Sequence, residues 1–224
     1  MRAILGGGAV RYSLNIHDIY AIFRRHFGIP RMRQFVEMFD LKTTDNVIDV
    51  GGARGNWEFI SLQPNILLVN LDDDEWEDGK IRKVKGDGTA LTYPDRSFDI
   101  AFSNSVIEHV GEWREQAAFA REISRVAPRY YVQTPNRWFF LEPHLLAPVL
   151  HFLPRRVARR LVRYCSVWGW VTKPDLKTID CFLDDIHLLG LKEMKELFPG
   201  AEIHREKFLG MTKSIIAVRR FEGL

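Results

Sequence analysis

Apolar positions change period as the chain proceeds. Ile16, Ile19, Tyr20, Phe23 and Phe27 recur at helical spacing until Gly28-Ile29-Pro30 interrupts them, and Met32, Phe35, Val36 and Phe39 then mark one face of a second helix. From Val47 onward short strand-like runs take over, at 47–50, 66–71, 81–85, 98–103, 129–133, 201–208 and 213–219, with helical or turn segments between them. That alternation predicts an α/β fold: a mostly parallel sheet with helices on both faces. The last two runs, joined through Gly210, predict an antiparallel hairpin. Residues 1–14 read as a loose leader, 1–44 as an N-terminal helical extension, and 45–224 as the main domain. More than sixty residues separate Gln133 from Ala201, longer than a usual αβ connection, which predicts a lid-like helical insertion at about 136–190 before the last two strands.

The insertion has its own pattern. Leu145, Leu146, Val149, Leu150, Phe152 and Leu153 form an apolar block, and Arg155, Arg156, Arg159, Arg160 and Arg163 follow, interleaved with Val157, Leu161 and Val162. The basic segment admits three readings: a solvated helix face, a membrane-peripheral patch suited to anionic lipid, and a nucleic-acid contact. No RNA-binding module is recognisable, so nucleic acid is not expected as a partner.

Composition narrows the class. With 224 residues, 46% hydrophobic and 27% charged, the chain is of a size for one folded α/β domain with an elaboration, and a net charge of +3 does not argue for a polyanionic partner. Cys165 and Cys181 are the two cysteines, without a CxxC or a His/Cys cluster at zinc spacing, so reduced thiols and no metal are expected. The first ten residues lack the charged-then-apolar pattern of a signal peptide, and no uncharged apolar run reaches the roughly eighteen residues that span a bilayer. A cytoplasmic location is the expectation.

Candidate chemistry begins at Asn46-Val47-Ile48-Asp49-Val50-Gly51-Gly52-Ala53-Arg54-Gly55-Asn56-Trp57, a buried strand that empties into a glycine-rich loop. Glycines there permit positive φ and remove the Cβ that would hold a ligand away from the backbone. The spacing Asp49-x-Gly51-x-x-x-Gly55 is not the G-x-G-x-x-G dinucleotide fingerprint. It resembles the glycine loop of class I S-adenosylmethionine-dependent methyltransferases, of the type 11-like domain, with Ala53 at the middle glycine. The likeness continues in order through Val69-Asn70-Leu71-Asp72, Lys85-Gly86-Asp87-Gly88-Thr89 and the stretch Ser97 to His109, which includes Asn104 and Ser105.

The resemblance implies a Rossmann-like sheet and S-adenosylmethionine as cofactor. It implies Asp72 on the ribose hydroxyls, Asp87 with Gly88 at the adenine, and Gly51, Gly52 and Gly55 beside the amino acid end. Asp49 is expected to order the loop through backbone N–H groups, and Asn104 and Ser105 to stand near the transferable methyl. An acceptor hydroxyl needs a base, for which His109 is one candidate and Glu108 its rival. The stretch Gln133 to His144 leaves the fifth run toward the acceptor, where Asn136, Trp138 and His144 are candidate substrate contacts. Trp138 and Phe139 are also candidates to screen the cofactor's cation.

The activity implied is methyl transfer to an oxygen or nitrogen of a small-molecule or lipid-linked acceptor. Two alternatives stand beside it: a non-catalytic S-adenosylmethionine-binding protein, and an NAD(P)-dependent oxidoreductase. The second is disfavoured by the glycine spacing and by the lack of a Tyr-x-x-x-Lys pair.

Overall fold

The computed structural model describes Ile16, Tyr20 and residues 24–220. Ten strands are described: β1 (Asn46–Val50), β2 (Asn65–Asn70), β3 (Trp76–Asp78), β4 (Ile81–Lys85), β5 (Ile100–Asn104), β6 (Arg129–Pro135), β7 (Leu141–Glu142), β8 (Ala147–Pro148), β9 (Glu202–Phe208) and β10 (Met211–Arg219). The seven described α-helices are α1 (Ile29–Phe39), α2 (Arg54–Trp57), α3 (Trp113–Val126), α4 (Arg155–Cys165), α5 (Val167–Thr172), α6 (Leu176–Asp185) and α7 (Leu191–Leu197).

Eight strands form one sheet in the order β3-β4-β2-β1-β5-β6-β10-β9. The pairs β1–β2, β1–β5, β2–β4 and β5–β6 are parallel, whereas β6–β10 and β10–β9 are antiparallel. The expected hairpin therefore closes one edge. The other edge is β3, an antiparallel partner of β4 that the apolar pattern does not show. Its three residues, Trp76-Glu77-Asp78, are too few to display a period of two.

Side-chain alternation along β1 feeds two cores. Ile48 and Val50 join Phe119, Ile123 and Tyr130 under α3 and α7, while Val47 joins Leu68, Phe102 and Tyr131 under α1 and α2. Helix α1 is thus part of the domain body, with Phe35 fully buried against Phe102 and Tyr131. The break expected at Gly28-Ile29-Pro30 is instead a continuation, because a π-helical turn at Arg24–Gly28 leads straight into α1. Pro30 falls at this junction, where it offers no N–H to the carbonyls of the preceding turn. Ile19 and Phe23 lie outside the described residues, as does the leader.

The insertion carries a third cluster of its own, in which Leu145, Leu150, Val162, Trp168 and Ile179 pack with Ile16. Its helices start where the sequence supplies caps: Ser166 accepts from Gly169 N and Asp175 from Thr178 N. Among the described residues no helix is long and apolar enough to cross a membrane. Both cysteines are free and exposed.

Candidate functional site

The sheet's strand order reverses direction at β1, which is flanked by β2 on one side and β5 on the other. Ligands of open α/β sheets settle in the crevice outside the carboxyl ends at such a point. Here those ends carry Gly51-Gly52 and Asn104-Ser105, and they touch: a Cβ on Gly51, whose φ is +75°, would lie 2.5 Å from the Val106 methyls. A Cβ on Gly52 would lie 1.9 Å from the Asp49 carboxylate. Both glycines are therefore required by close approach. Gly55 falls inside the short helix α2, beyond the loop itself.

Asp49 is fully buried beneath this loop. Its Oδ2 accepts from Trp57 Nε1 at 2.8 Å, and its Oδ1 has no hydrogen-bond partner. The backbone N–H contacts expected for Asp49 are replaced by the Trp57 indole. Burial raises its pKa to about 7, against the lowering effect of the indole bond.

Asp72 stands two residues beyond β2, which ends at Asn70 and not at the Leu71 of the apolar run. It is half-exposed, bonded to Lys83 at 2.6 Å and to the Asp74 amide, and the Lys83 contact holds its pKa down. Asn70 takes the strand-end position and donates to Gly52 O at 2.8 Å. Asp87 forms an Asx turn, its Oδ1 accepting from both the amide and the hydroxyl of Thr89, and its exposed Oδ2 makes no bond among the described residues. Gly86 and Gly88 pack tightly, since a Cβ on either would come within 2.7 Å of Val69 or Val50.

Next to Asn104 and Ser105 opens a cavity of about 560 Å³. Tyr20, Phe27, Phe139, Leu141, Trp168 and Phe208 supply much of its apolar wall. At its base lies a polar network that sequence reading missed. Arg31 donates to Asn104 Oδ1 at 2.6 Å, to Gln133 Oε1 at 3.1 Å and to Glu206 at 2.7 Å, and Lys213 holds the same Glu206 oxygen at 3.1 Å. Ser105, held at φ +58°, donates to Gln133 at 2.9 Å. The one sequence signal for this network was an arginine in line with Phe35 and Phe39 on the buried stripe of α1.

Glu108 and His109 occupy a 3-10 turn just after Ser105. Glu108 is fully buried, accepts from Thr134 Oγ1 at 2.9 Å and leaves Oε1 without a partner. Burial raises its pKa, opposed by His144 and His109. His109 lies between Asp185 and His144, whose own Nδ1 faces Glu142 at 2.6 Å. Burial alone would lower the His144 pKa, but the Glu142 bond and nearby carboxylates outweigh it and the pKa is raised. The structure thus joins His109, Glu108 and His144, residues the sequence placed in separate roles, and of the three it is His144 that lines the cavity.

The other two acceptor candidates sit elsewhere. Asn136 bonds the β10 backbone through Lys213 O and Thr212 O, a structural duty. Trp138 is 65% exposed and stacks on Phe152, outside the cavity wall, while its neighbour Phe139 is in that wall.

Fold and site together define a class: a mostly parallel sheet closed by an antiparallel hairpin, with a glycine loop at its switch point and a cavity beside it, is the class I S-adenosylmethionine-dependent methyltransferase fold. Residues 52–129 match the family described as Methyltransferase domain. It is 30% identical over 95 residues to a phosphoethanolamine N-methyltransferase of Triticum aestivum, a match of 37% of this chain and 19% of that protein. The chain thus spans about a fifth of the length of the curated relatives it matches. Among solved structures, an S-adenosylmethionine-dependent methyltransferase from Mesorhizobium loti superposes with a TM-score of 0.53 at 15% identity, over 85% of this chain and 96% of that one. The magnesium protoporphyrin IX methyltransferase of Synechocystis PCC 6803, solved with bound SAH, gives 0.53 at 12% identity, over 96% and 90%.

Proposed function

We propose that this chain is an S-adenosylmethionine-dependent methyltransferase acting on an oxygen or nitrogen of a small-molecule or lipid-linked acceptor. The observation that carries the reading is the meeting of two features at the ends of β1 and β5: the glycine cradle of Gly51 and Gly52, and the cavity that opens at Asn104 and Ser105. S-adenosylmethionine is the cofactor, and it supplies an activated methyl group. Gly51 and Gly52, with Asp49 holding the loop from beneath, would serve its amino acid end, Asp72 its ribose, and Asp87 Oδ2 with Gly88 its adenine. Methyl transfer of this kind depends chiefly on proximity and alignment, which Ser105 and the polar base of the cavity provide.

The acceptor belongs in the cavity. The wheat relative is named for phosphoethanolamine and the Synechocystis neighbour for a magnesium porphyrin, acceptors too unlike for either to be carried over. Apolar walls with Arg31 and Lys213 at the base suit an acceptor with an apolar body and a polar reacting end. When that end is a hydroxyl, its proton passes to the Glu108–His109–His144 cluster, with His144 as the member in reach.

Calorimetric titration with S-adenosylmethionine, S-adenosylhomocysteine and NADH, repeated on Asp72→Ala, tests the cofactor. Binding of the two sulfur nucleosides, weakened in the variant, is expected; binding of NADH alone would move the chain to the oxidoreductases. Transfer of labelled methyl to fractionated polar and lipid extracts then tests turnover, and cofactor binding without any labelled product would favour a non-catalytic binding protein.

A second reading concerns α4. Arg155 and Arg159 pair with Asp184 and Asp180 on α6, but the exposed Arg156, Arg160 and Arg163, at i, i+4 and i+7, have no ion pair among the described residues. Exposed Val157, Tyr164 and Trp170 lie nearby in sequence. This face suits peripheral binding to an anionic bilayer. Flotation with liposomes should recover the chain only when anionic lipid is present, and an Arg156/Arg160/Arg163→Ala variant should stay behind.

A further inference from the structure

Three ligand atoms converge at the wall of the cavity. His109 Nε2 and His144 Nε2 lie 3.1 Å apart, Glu108 Oε1 lies 3.8 Å from His144 Nε2, and the three are all within 4.8 Å of one another. Each imidazole is anchored from behind by a carboxylate: His109 Nδ1 faces Asp185 at 3.0 Å, and His144 Nδ1 faces Glu142 at 2.6 Å. A carboxylate behind a ring fixes the N–H at Nδ1, which leaves a lone pair on Nε2. Two lone pairs therefore point at each other beside a buried carboxylate oxygen that has no hydrogen-bond partner. A proton on one Nε2 would settle the two nitrogens but leave Glu108 Oε1, 3.8 Å from His144 Nε2, beyond hydrogen-bond reach, whereas a metal ion can engage all three.

From this geometry we infer that Glu108, His109 and His144 form a divalent transition-metal site of the zinc type, with two imidazoles, one carboxylate and a fourth position open. Tetrahedral zinc, with bonds of about 2.0–2.1 Å, sets its ligand atoms roughly 3.3 Å apart. The separations of 3.1 and 3.8 Å lie on either side of that spacing, and since the set spans up to 4.8 Å a bound ion would draw its members closer together. Magnesium and calcium fit poorly, since both prefer shells of oxygen. Glu142 and Asp185 supply the outer carboxylates that metal-bound histidines use. Because Glu108 and His109 belong to the sheet domain and His144 to the insertion, a bound ion pins one to the other. Sequence spacing hid the site, for 35 positions separate His109 from His144. This inference does not depend on the identity of the methyl acceptor; with an ion bound, both Nε2 lone pairs are taken, so His144 would serve as the base only in the metal-free chain.

The test uses the full chain, stripped with chelator and titrated with Zn²⁺ and Co²⁺. Expected are saturation at one ion per chain, a raised thermal midpoint, and visible Co²⁺ ligand-field bands without the intense thiolate charge-transfer absorption that Cys165 or Cys181 would give. Glu108→Gln and His144→Ala should each weaken binding by at least about tenfold, and Asp185→Asn by roughly 10–100-fold. No binding of either ion by the stripped chain, a thiolate spectrum, or undiminished binding in folded variants would each overturn the assignment. If the core variants fail to fold, the Co²⁺ spectrum of the unaltered chain and the exposed Asp185→Asn variant still decide it.

Discussion

Asp49 is a carboxyl group with one oxygen bonded to an indole and the other bonded to nothing, in a place water does not reach. Its pKa rises from 3.8 to about 7 on folding because burial disfavours the anion. Between those values the folded chain holds a proton that the unfolded chain releases. The stability this group contributes is thus present at pH 4 and lost as pH rises toward 7, by at most roughly 4 kcal/mol at about 1.4 kcal/mol per unit. Asp49→Asn keeps an acceptor for Trp57 and removes the titration. Urea unfolding at pH 5 and pH 7.5 should show the variant gaining on the unaltered chain at the higher pH; equal differences at both pH values would mean that Asp49 titrates normally. Gly52→Ala probes the same contact from above. With its Cβ 1.9 Å from the Asp49 carboxylate, it should cost about 1–3 kcal/mol and abolish S-adenosylhomocysteine binding. Gly79→Ala, at positive φ but with open space around it and away from the loop, should leave that binding intact.

At the scale of elements, Arg31 lets α1 act on the far side of the sheet. It ties the helix to β5 through Asn104, to β6 through Gln133 and to β9 through Glu206. Burial would raise the Glu206 pKa, yet Arg31 and Lys213 hold it down. Arg31→Met should destabilise the chain by about 2–4 kcal/mol in urea, since it breaks a buried pair but leaves Lys213 in place, and Glu206→Gln in the same background should return part of the loss. A cost below about 0.5 kcal/mol would show that Lys213 alone satisfies Glu206. The strands were readable because each presents a run of apolar residues to a core, and their observed ends fall close to those runs. The π-helical turn was not readable, because Gly and Pro signal a stop whether the chain ends a helix or re-enters one. Nor were β3 or the hairpin of β7 and β8, which owe their pairing to neighbours. Of the site, the loop glycines and the strand-end polar residues could be read locally. Asp72 lies two residues past the strand end because Asn70, the polar residue before it, closes β2. Arg31 and the joining of His144 to His109 depend on contacts distant in sequence, which no spacing rule encodes.

At the scale of the whole molecule, the insertion has its own small core, and few contacts tie it to the sheet domain around the site. Those contacts include the Tyr20 hydroxyl on His144 O, His109 on Asp185, the His187 amide on Glu108 O at 2.8 Å and the Gln116 amide on His187 O at 2.8 Å. Separate cores open separately. Backbone amides of α4 to α6 should therefore exchange with deuterium through a local opening, at rates well above those of β1, β5 and β6, whose protection follows global unfolding. Asp185→Ala removes the His109 contact from an exposed position, so it should speed exchange across residues 155–185 severalfold and leave the central strands unchanged. Exchange accelerated equally in both regions would show that the insertion unfolds only with the sheet. A ligand filling the cavity touches Phe27 and Phe208 of the sheet domain and Trp168 and Phe182 of the insertion at once. It should therefore slow exchange in α5 and α6, whereas a ligand confined to the glycine loop should not. The hydrogen-exchange map thus reads out, without an activity assay, whether the insertion closes over the acceptor.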